Sequence, residues 1–132
     1  MLLKDSEGPD SGRLCDALAI SRDLEDRVFW MVQVMESWFL ADVAALQVYY
    51  GQGFQETALP KNPKVEEVFK ADVLSGLKNA TRNTPKGRHH KTGHAPEILR
   101  GIDPQKVRTA APHCERMFAT LLRLAEQAQR EL

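Results

Sequence analysis

The stretch VFWMVQVMESWFLAD, residues 28–42, decides how the chain reads. Val28 to Met35 is apolar except for Gln33, rich in β-branched and aromatic side chains, and preceded by Glu25, Asp26 and Arg27. A run of this kind suits a strand buried on both faces, as in a parallel sheet. Ser37 then offers an N-cap for a helix over about residues 38–50, which Gly51 would stop. Glu36 falls where the buried strand ends and the apolar helix begins. A carboxylate placed there costs stability unless it has a partner or a task.

Upstream, residues 1–4 predict a short strand, interrupted by Lys4. Residues 5–11 (DSEGPDS) predict a turn, residues 12–20 a weak helix with Leu14 and Leu18 spaced i to i+4, and residues 21–27 a charged loop. Two strands joined through about 20 residues fit a parallel crossover. Ligands of open parallel sheets sit beyond the carboxyl ends of the strands. The first strand runs into Asp5 and Glu7, and the second into Glu36, so neighbouring strands would bring three carboxylates to one edge.

Downstream, GQGFQETALPKNPK (51–64) predicts a loop. Residues 65–81 predict a helix with Val65, Val68, Phe69, Val73 and Leu77 on one face. RNTPKGRHHKTG (82–93) predicts a basic loop, and His94 to Arg100 a short helix stopped by Gly101. Asp103 and Pro104 stand in N-cap and N1 order for a further helix. Pro112 opens a last helix to about Gln129, with Met117, Leu121, Leu124 and Ala125 turned inward.

The 132 residues suffice for one domain with one core, taken as residues 1–132. No apolar stretch approaches the roughly 18 to 20 residues of a membrane span, and MLLKDSEGPD is too short and acidic for a secretory signal. The expected location is cytoplasmic, without membrane association. Cys15 and Cys114 lack ligand-like neighbours and are expected to be free, partly buried thiols. Net charge is zero but unevenly spread: residues 1–45 hold nine acids and four bases, residues 60–100 nine bases and four acids. That asymmetry fits a metal-and-phosphate site and equally fits ordinary solvated faces.

Asp5 and Glu7 are two apart and point the same way in an extended segment. Together with Glu36 they would repel one another strongly unless protonated or bound to a cation. All-oxygen donors favour magnesium, manganese or calcium over zinc. The bland reading is also open: Asp5 and Glu7 in an exposed turn, Glu36 an acid at a helix N-terminus. Lys86, Arg88, His89, His90, Lys91 and His94 lie within nine residues beside Gly87 and Gly93. They form either a phosphate-contacting segment or a solvated basic loop. No Ser-His-Asp arrangement, phosphate-binding glycine loop or dinucleotide fingerprint is present.

MVQVMESWFLAD, GQGFQETALPKNPKVEEVFKADVLSGLKNATR, HKTGHAPEILRGIDPQKV and PHCERMFATL resemble a bacterial family, the domain-of-unknown-function family 4276. These motifs cover nearly all of residues 31–122. LLKDSEGP resembles the family's strand-plus-acid segment, with Lys4 where a hydrophobic residue is usual. The resemblance implies a Toprim-like α/β fold: a small, largely parallel sheet flanked by helices. That fold serves topoisomerases, primases and nucleases of the overcoming-lysogenization-defect type, which bind magnesium through an early acid and a later acidic pair.

By resemblance, Asp5 and Glu7 match the acidic pair, and Glu36 and Asp42 match the family's EAWFLAD-like segment, where Ser37 replaces the commoner alanine. The family usually begins with a further strand carrying its own glutamate. This chain starts at the acidic-pair strand and offers no candidate for that early acid: relative to the family it is expected to be truncated or a fragment, or misassigned in its start, or not catalytic, and the missing strand would leave an exposed sheet edge that a partner or a second copy could cover.

Two functions follow as expectations. One is a magnesium-dependent (or manganese-dependent) nucleic-acid phosphodiesterase, linked to a partner ATPase in phage-defence or mobile-element systems. Its metal would be held by Asp5, Glu7, Glu36 and Asp42, and phosphate would be engaged by Lys86, Arg88, Lys91 and His94. The other is a non-catalytic module docking that ATPase, with Tyr49, Tyr50 and Phe54 on its surface.

Overall fold

The computed structural model describes residues 2–9 and 27–131. The weak helix expected over 12–20, nearly all of the loop expected over 21–27, and Cys15 lie outside these residues. Strand β1 (Leu2–Asp5) pairs in parallel with β2 (Val28–Met31), Leu2 opposite Val28 and Asp5 opposite Met31. The fold is therefore mixed α/β and helix-dominated. Five α-helices follow among the described residues: α1 (Val43–Tyr50), α2 (Lys70–Thr81), α3 (Lys91–Gly101), α4 (Pro104–Ala110) and α5 (Pro112–Arg130). No helix among these residues is long and apolar enough to cross a membrane.

β2 is buried on both faces, as its apolar run predicts. Phe29 enters the main core, and Val28, Trp30 and Val32 form a second cluster. The strand is shorter than expected, ending at Met31 instead of Met35, because β1 offers ladder partners only to Asp5. Beyond it, turn contacts replace the ladder. Ser6 N–H donates to Met31 O (3.1 Å), Glu7 N–H to Gln33 O (2.7 Å), and Met35 N–H to Asp5 Oδ1 (2.9 Å).

The expected helix 38–50 is two elements. Met35–Ala41 is a 3-10 segment, and α1 begins only at Val43. Ser37 is not the cap. It is fully buried, and its Oγ accepts a long bond from Val34 N–H at 3.4 Å. Asp42 caps α1 instead, accepting from Ala45 N–H at 3.2 Å. The 3-10 segment is the hub of the molecule and touches β2 and α1 to α4. Phe39 at its centre is fully buried, and truncating such a side chain to alanine costs about 3–5 kcal/mol.

The segment 65–81 is also divided, into a 3-10 turn (Val65–Glu67) and α2. Val68 and Phe69 are extended between them, which leaves Phe69 exposed rather than on the buried face with Val65, Val68, Val73 and Leu77. Glu66 reaches across to the start of α5, whose N-cap Ala111 has no capping side chain; its carboxylate accepts from His113 N–H at 2.8 Å. Asp103 and Pro104 open α4 in the expected order, with Asp103 accepting from Gln105 N–H at 2.9 Å. In α5, Cys114 and Met117 are buried and Leu121 partly so, whereas Leu124 and Ala125 are exposed, so the inward face ends sooner than the periodicity predicts. Cys114 is a free thiol.

Candidate functional site

β1 and β2 run side by side, so their carboxyl ends bring Asp5, Glu7 and Glu36 to one edge. Asp5 closes β1. Its Oδ1 accepts Met35 N–H, and its Oδ2 lies 3.2 Å from Lys91 Nζ at the start of α3. Glu7 sits in the left-handed region at φ 65°, a conformation that non-glycine residues adopt at a cost. Its carboxylate pairs with Lys70, the first residue of α2. Glu36, in the first turn of the 3-10 segment, is only 1 % exposed, and its Oε2 has no hydrogen-bond partner among the described residues.

Glu7 and Glu36 line a cavity of about 420 Å³ together with Val34, Lys70, Leu74, Lys78, His89, His90 and Lys91. Lys91 senses all three acids. The Asp5 hydrogen bond holds its ammonium above the ordinary lysine pKa, partly offset by desolvation, and the charges of Glu36, Asp5 and Glu7 act in the same direction as Asp5.

Asp42 plays a different part. Its Oδ2 accepts from Asp103 N–H at 2.9 Å, and its Oδ1 lies 3.2 Å from Lys106 Nζ in addition to capping α1. Burial pushes its pKa up, but the Asp103 N–H, Lys106 and the Ala45 N–H outweigh it and hold the carboxyl below its usual range. Both oxygens are thus committed to joining α1 to α4, and Asp42 borders a different cavity, with Tyr49, Ile98 and Lys106.

The basic segment divides as well. Lys91 enters the acidic site. Lys86 lies over the Tyr49 ring, 4.8 Å from its centroid, and Arg88 is exposed. His94 Nδ1 meets Tyr50 Oη at 3.2 Å and accepts from His90 N–H at 3.1 Å. Burial first, then His90 and Lys86, lower the His94 pKa. Tyr50 is buried against His89 and His94 instead of forming a docking surface, and Tyr49 and Phe54 pack beside it. α3 begins at Lys91, three residues before the expected start, because His90 caps it: its Nδ1 accepts from Gly93 N–H at 3.1 Å.

Lys70, Lys78 and His89 were not singled out by sequence reasoning as site residues of this edge. A signal for the lysines exists: Lys70, Leu74 and Lys78 recur at i, i+4 and i+8, so one face of α2 carries them together to the acids. A larger cavity, about 950 Å³, lies between Leu40, Pro63, Glu67, Lys106 and Pro112. Glu66, which also borders it, is already engaged by His113.

The magnesium implied by the resemblance can be tested against these atoms. The donors are carboxylate oxygens, the right kind for a hard cation. Glu36 Oε2 is the buried, unpartnered oxygen that a cation would satisfy. Asp5 and Glu7, in contrast, each face a lysine, and among the described residues no three His, Cys, Asp or Glu side chains stand close enough to hold an ion. The residues fit in donor type; they do not form a preassembled cage, because ammonium groups occupy the positions next to two of the acids.

Fold and site together define a small, helix-rich α/β domain with a carboxylate–lysine pocket at the carboxyl edge of a parallel strand pair. The family model described as "Domain of unknown function (DUF4276)" matches residues 14–122, and the chain belongs to that family. No curated protein and no solved structure matches the chain.

Proposed function

We propose that the protein is a Toprim-like phosphodiesterase acting on nucleic acid with magnesium or manganese. The observation that carries this reading is the fully buried Glu36, with one oxygen unpartnered, in a cavity ringed by Lys70, Lys78 and Lys91. A buried carboxylate without a partner is costly and is kept where it has work to do. Glu36, with Asp5 and Glu7 once their lysines release them, would hold the cation. Such an ion, when bound, neutralises charge on the scissile phosphate and makes coordinated water acidic. The lysines attract and orient the phosphodiester, and the low exposure of Glu36 keeps bulk water from screening it. Exposed Arg88 and Lys86 would extend the phosphate track outward. The link to a partner ATPase in phage-defence or mobile-element clusters rests on the family resemblance alone.

The test is cleavage of single- and double-stranded DNA and RNA with magnesium or manganese, by the native chain and by Glu36→Gln. Metal-dependent cleavage that Glu36→Gln loses by a factor on the order of 10² or more supports the reading. Equal cleavage by both proteins removes Glu36 from the mechanism, and no cleavage of any substrate overturns the reading.

A second reading, a non-catalytic module docking the ATPase or a second copy, is favoured by one observation. Leu2 and Leu3 of β1 are 43 % and 41 % exposed, adjacent apolar side chains on a short strand that a partner could cover. A stable dimer by sedimentation, with no heat of metal binding in calorimetry, would favour it over the enzyme.

A further inference from the structure

The first turn of α3 is thinly held. Pro96 lies inside the helix and has no N–H to give to Thr92 O, so one bond that would close this turn is absent. Two histidine nitrogens stand in. His90 Nδ1 accepts from Gly93 N–H at 3.1 Å, and His94 Nδ1 accepts from His90 N–H at 3.1 Å. A backbone N–H only donates, so neither Nδ1 carries a hydrogen, and each ring serves here only while that nitrogen is bare. Lys91, whose ammonium meets Asp5 Oδ2, is the first residue of the turn they hold.

Protonation reverses both contacts, because a hydrogen on Nδ1 then points at the N–H it accepted from, and two donors face one another. The ring centroids of His90 and His94 are 6.3 Å apart, so charge on one disfavours charge on the other. Tyr49 and Tyr50 of α1 and the ring of His89 pack against His94, and Lys86 adds positive charge beside it. Around His90 stand the carboxylates of Glu7 and Glu36 and the ammonium groups of Lys70, Lys78 and Lys91. Burial first, then His90 and Lys86, hold the His94 pKa below its ordinary 6.5. A lowered folded-state pKa gives stability that is present above 6.5 and lost as pH falls through the folded value.

We propose that His90 and His94 are positioning residues for Lys91: a clasp of two bare nitrogens that holds the first turn of α3, and with it the Lys91 ammonium on Asp5, and that opens when the rings take protons. Acidification then releases Lys91 into solvent and frees the Asp5 carboxylate. The inference goes beyond the phosphodiesterase reading and does not need it.

Amide hydrogen exchange of the full chain tests it, read by NMR between about pH 7 and about pH 5 and corrected for the intrinsic exchange rate. Protection of the Gly93 and His90 amides should fall about tenfold or more toward acid. The Ile102 amide at the far end of α3, which donates to Ile98 O, should keep its protection. His90→Asn combined with His94→Asn puts an amide oxygen that does not titrate where each Nδ1 stood, and should keep the first turn protected throughout. The Asp5 carboxylate carbon signal of the native chain should move, toward acid, to its value in Lys91→Met at the same pH. Unchanged protection at Gly93 and His90 in the native chain overturns the clasp without recourse to a variant. A loss in the asparagine variant equal to the native one removes the histidines as its cause, and an Asp5 signal that stays in place while the amides open overturns the link to Lys91.

Discussion

Lys91 Nζ lies 3.2 Å from Asp5 Oδ2 across 86 residues of sequence. The contact joins the first strand to the N-terminus of α3 and places a cation among three acids. Lys91 is more than half exposed, so the pair by itself contributes little to stability, about 1 kcal/mol or less. Its weight lies in what it holds apart. Lys91→Met should lower the melting temperature slightly without divalent cations. Magnesium or manganese should then raise it more in the variant than in the native chain, because the three carboxylates lose the ammonium that offsets them. Equal shifts in thermal melts of the two proteins would show that Lys91 and the cation do not compete.

Glu36→Gln should be no less stable than the native chain. The substitution keeps shape and replaces a buried carboxylate lacking one partner by a neutral amide. Urea midpoints of the two proteins decide the matter. A clear loss of stability would mean that the carboxylate holds the 3-10 segment in place.

Asp42→Ala should destabilise by about 1–3 kcal/mol, since it removes an N-cap and leaves the Asp103 N–H without its acceptor. The effect depends on pH in a definite direction. The folded state holds the Asp42 pKa below 3.8, its ordinary value, so the ionised side chain stabilises the fold above that pH. The contribution disappears as pH falls below 3.8 through the folded-state pKa. Stability curves of the native chain and the variant should therefore lie apart at neutral pH and converge in acid; parallel curves down to the acid transition would contradict this.

Glu66→Ala should weaken α5 by about 1 kcal/mol, the usual value of a lost N-cap. The carboxylate meets His113 twice, at the backbone N–H and at Nδ1 (2.7 Å). Glu66→Gln keeps an oxygen for the backbone N–H and should lose less. Guanidinium midpoints for the three proteins, ordered native, glutamine and alanine, check the cap.

Much of this arrangement was legible in the residues. The apolar run from Val28 marked a strand buried on both faces, and the Asp103–Pro104 order marked a helix start. The parallel pairing of β1 with β2 followed from the length of the connection between them. Helix breaks were less readable. The early end of β1 is a tertiary fact that nothing in Met35–Ala41 announces, whereas Asp42, a local cap three residues before Ala45, was a start signal passed over in favour of Ser37. Lys70 and Lys78 read as a solvated helix face until the acids they meet are known. His89 read as part of a basic loop because its burial depends on Tyr50, 39 residues away.

The basic loop has fixed ends. Thr81 Oγ1 accepts from His89 N–H at 2.7 Å and donates to Leu77 O at 2.7 Å, while Thr84 Oγ1 donates to Thr81 O at 2.7 Å. Both threonines are buried, and the turn between them returns the chain to the end of α2. The conformational freedom of this segment has therefore already been given up in folding. A ligand that reaches Lys86 and Arg88 need not order the backbone beneath them, and slow hydrogen exchange at the His89 amide would be the mark of that stiffness.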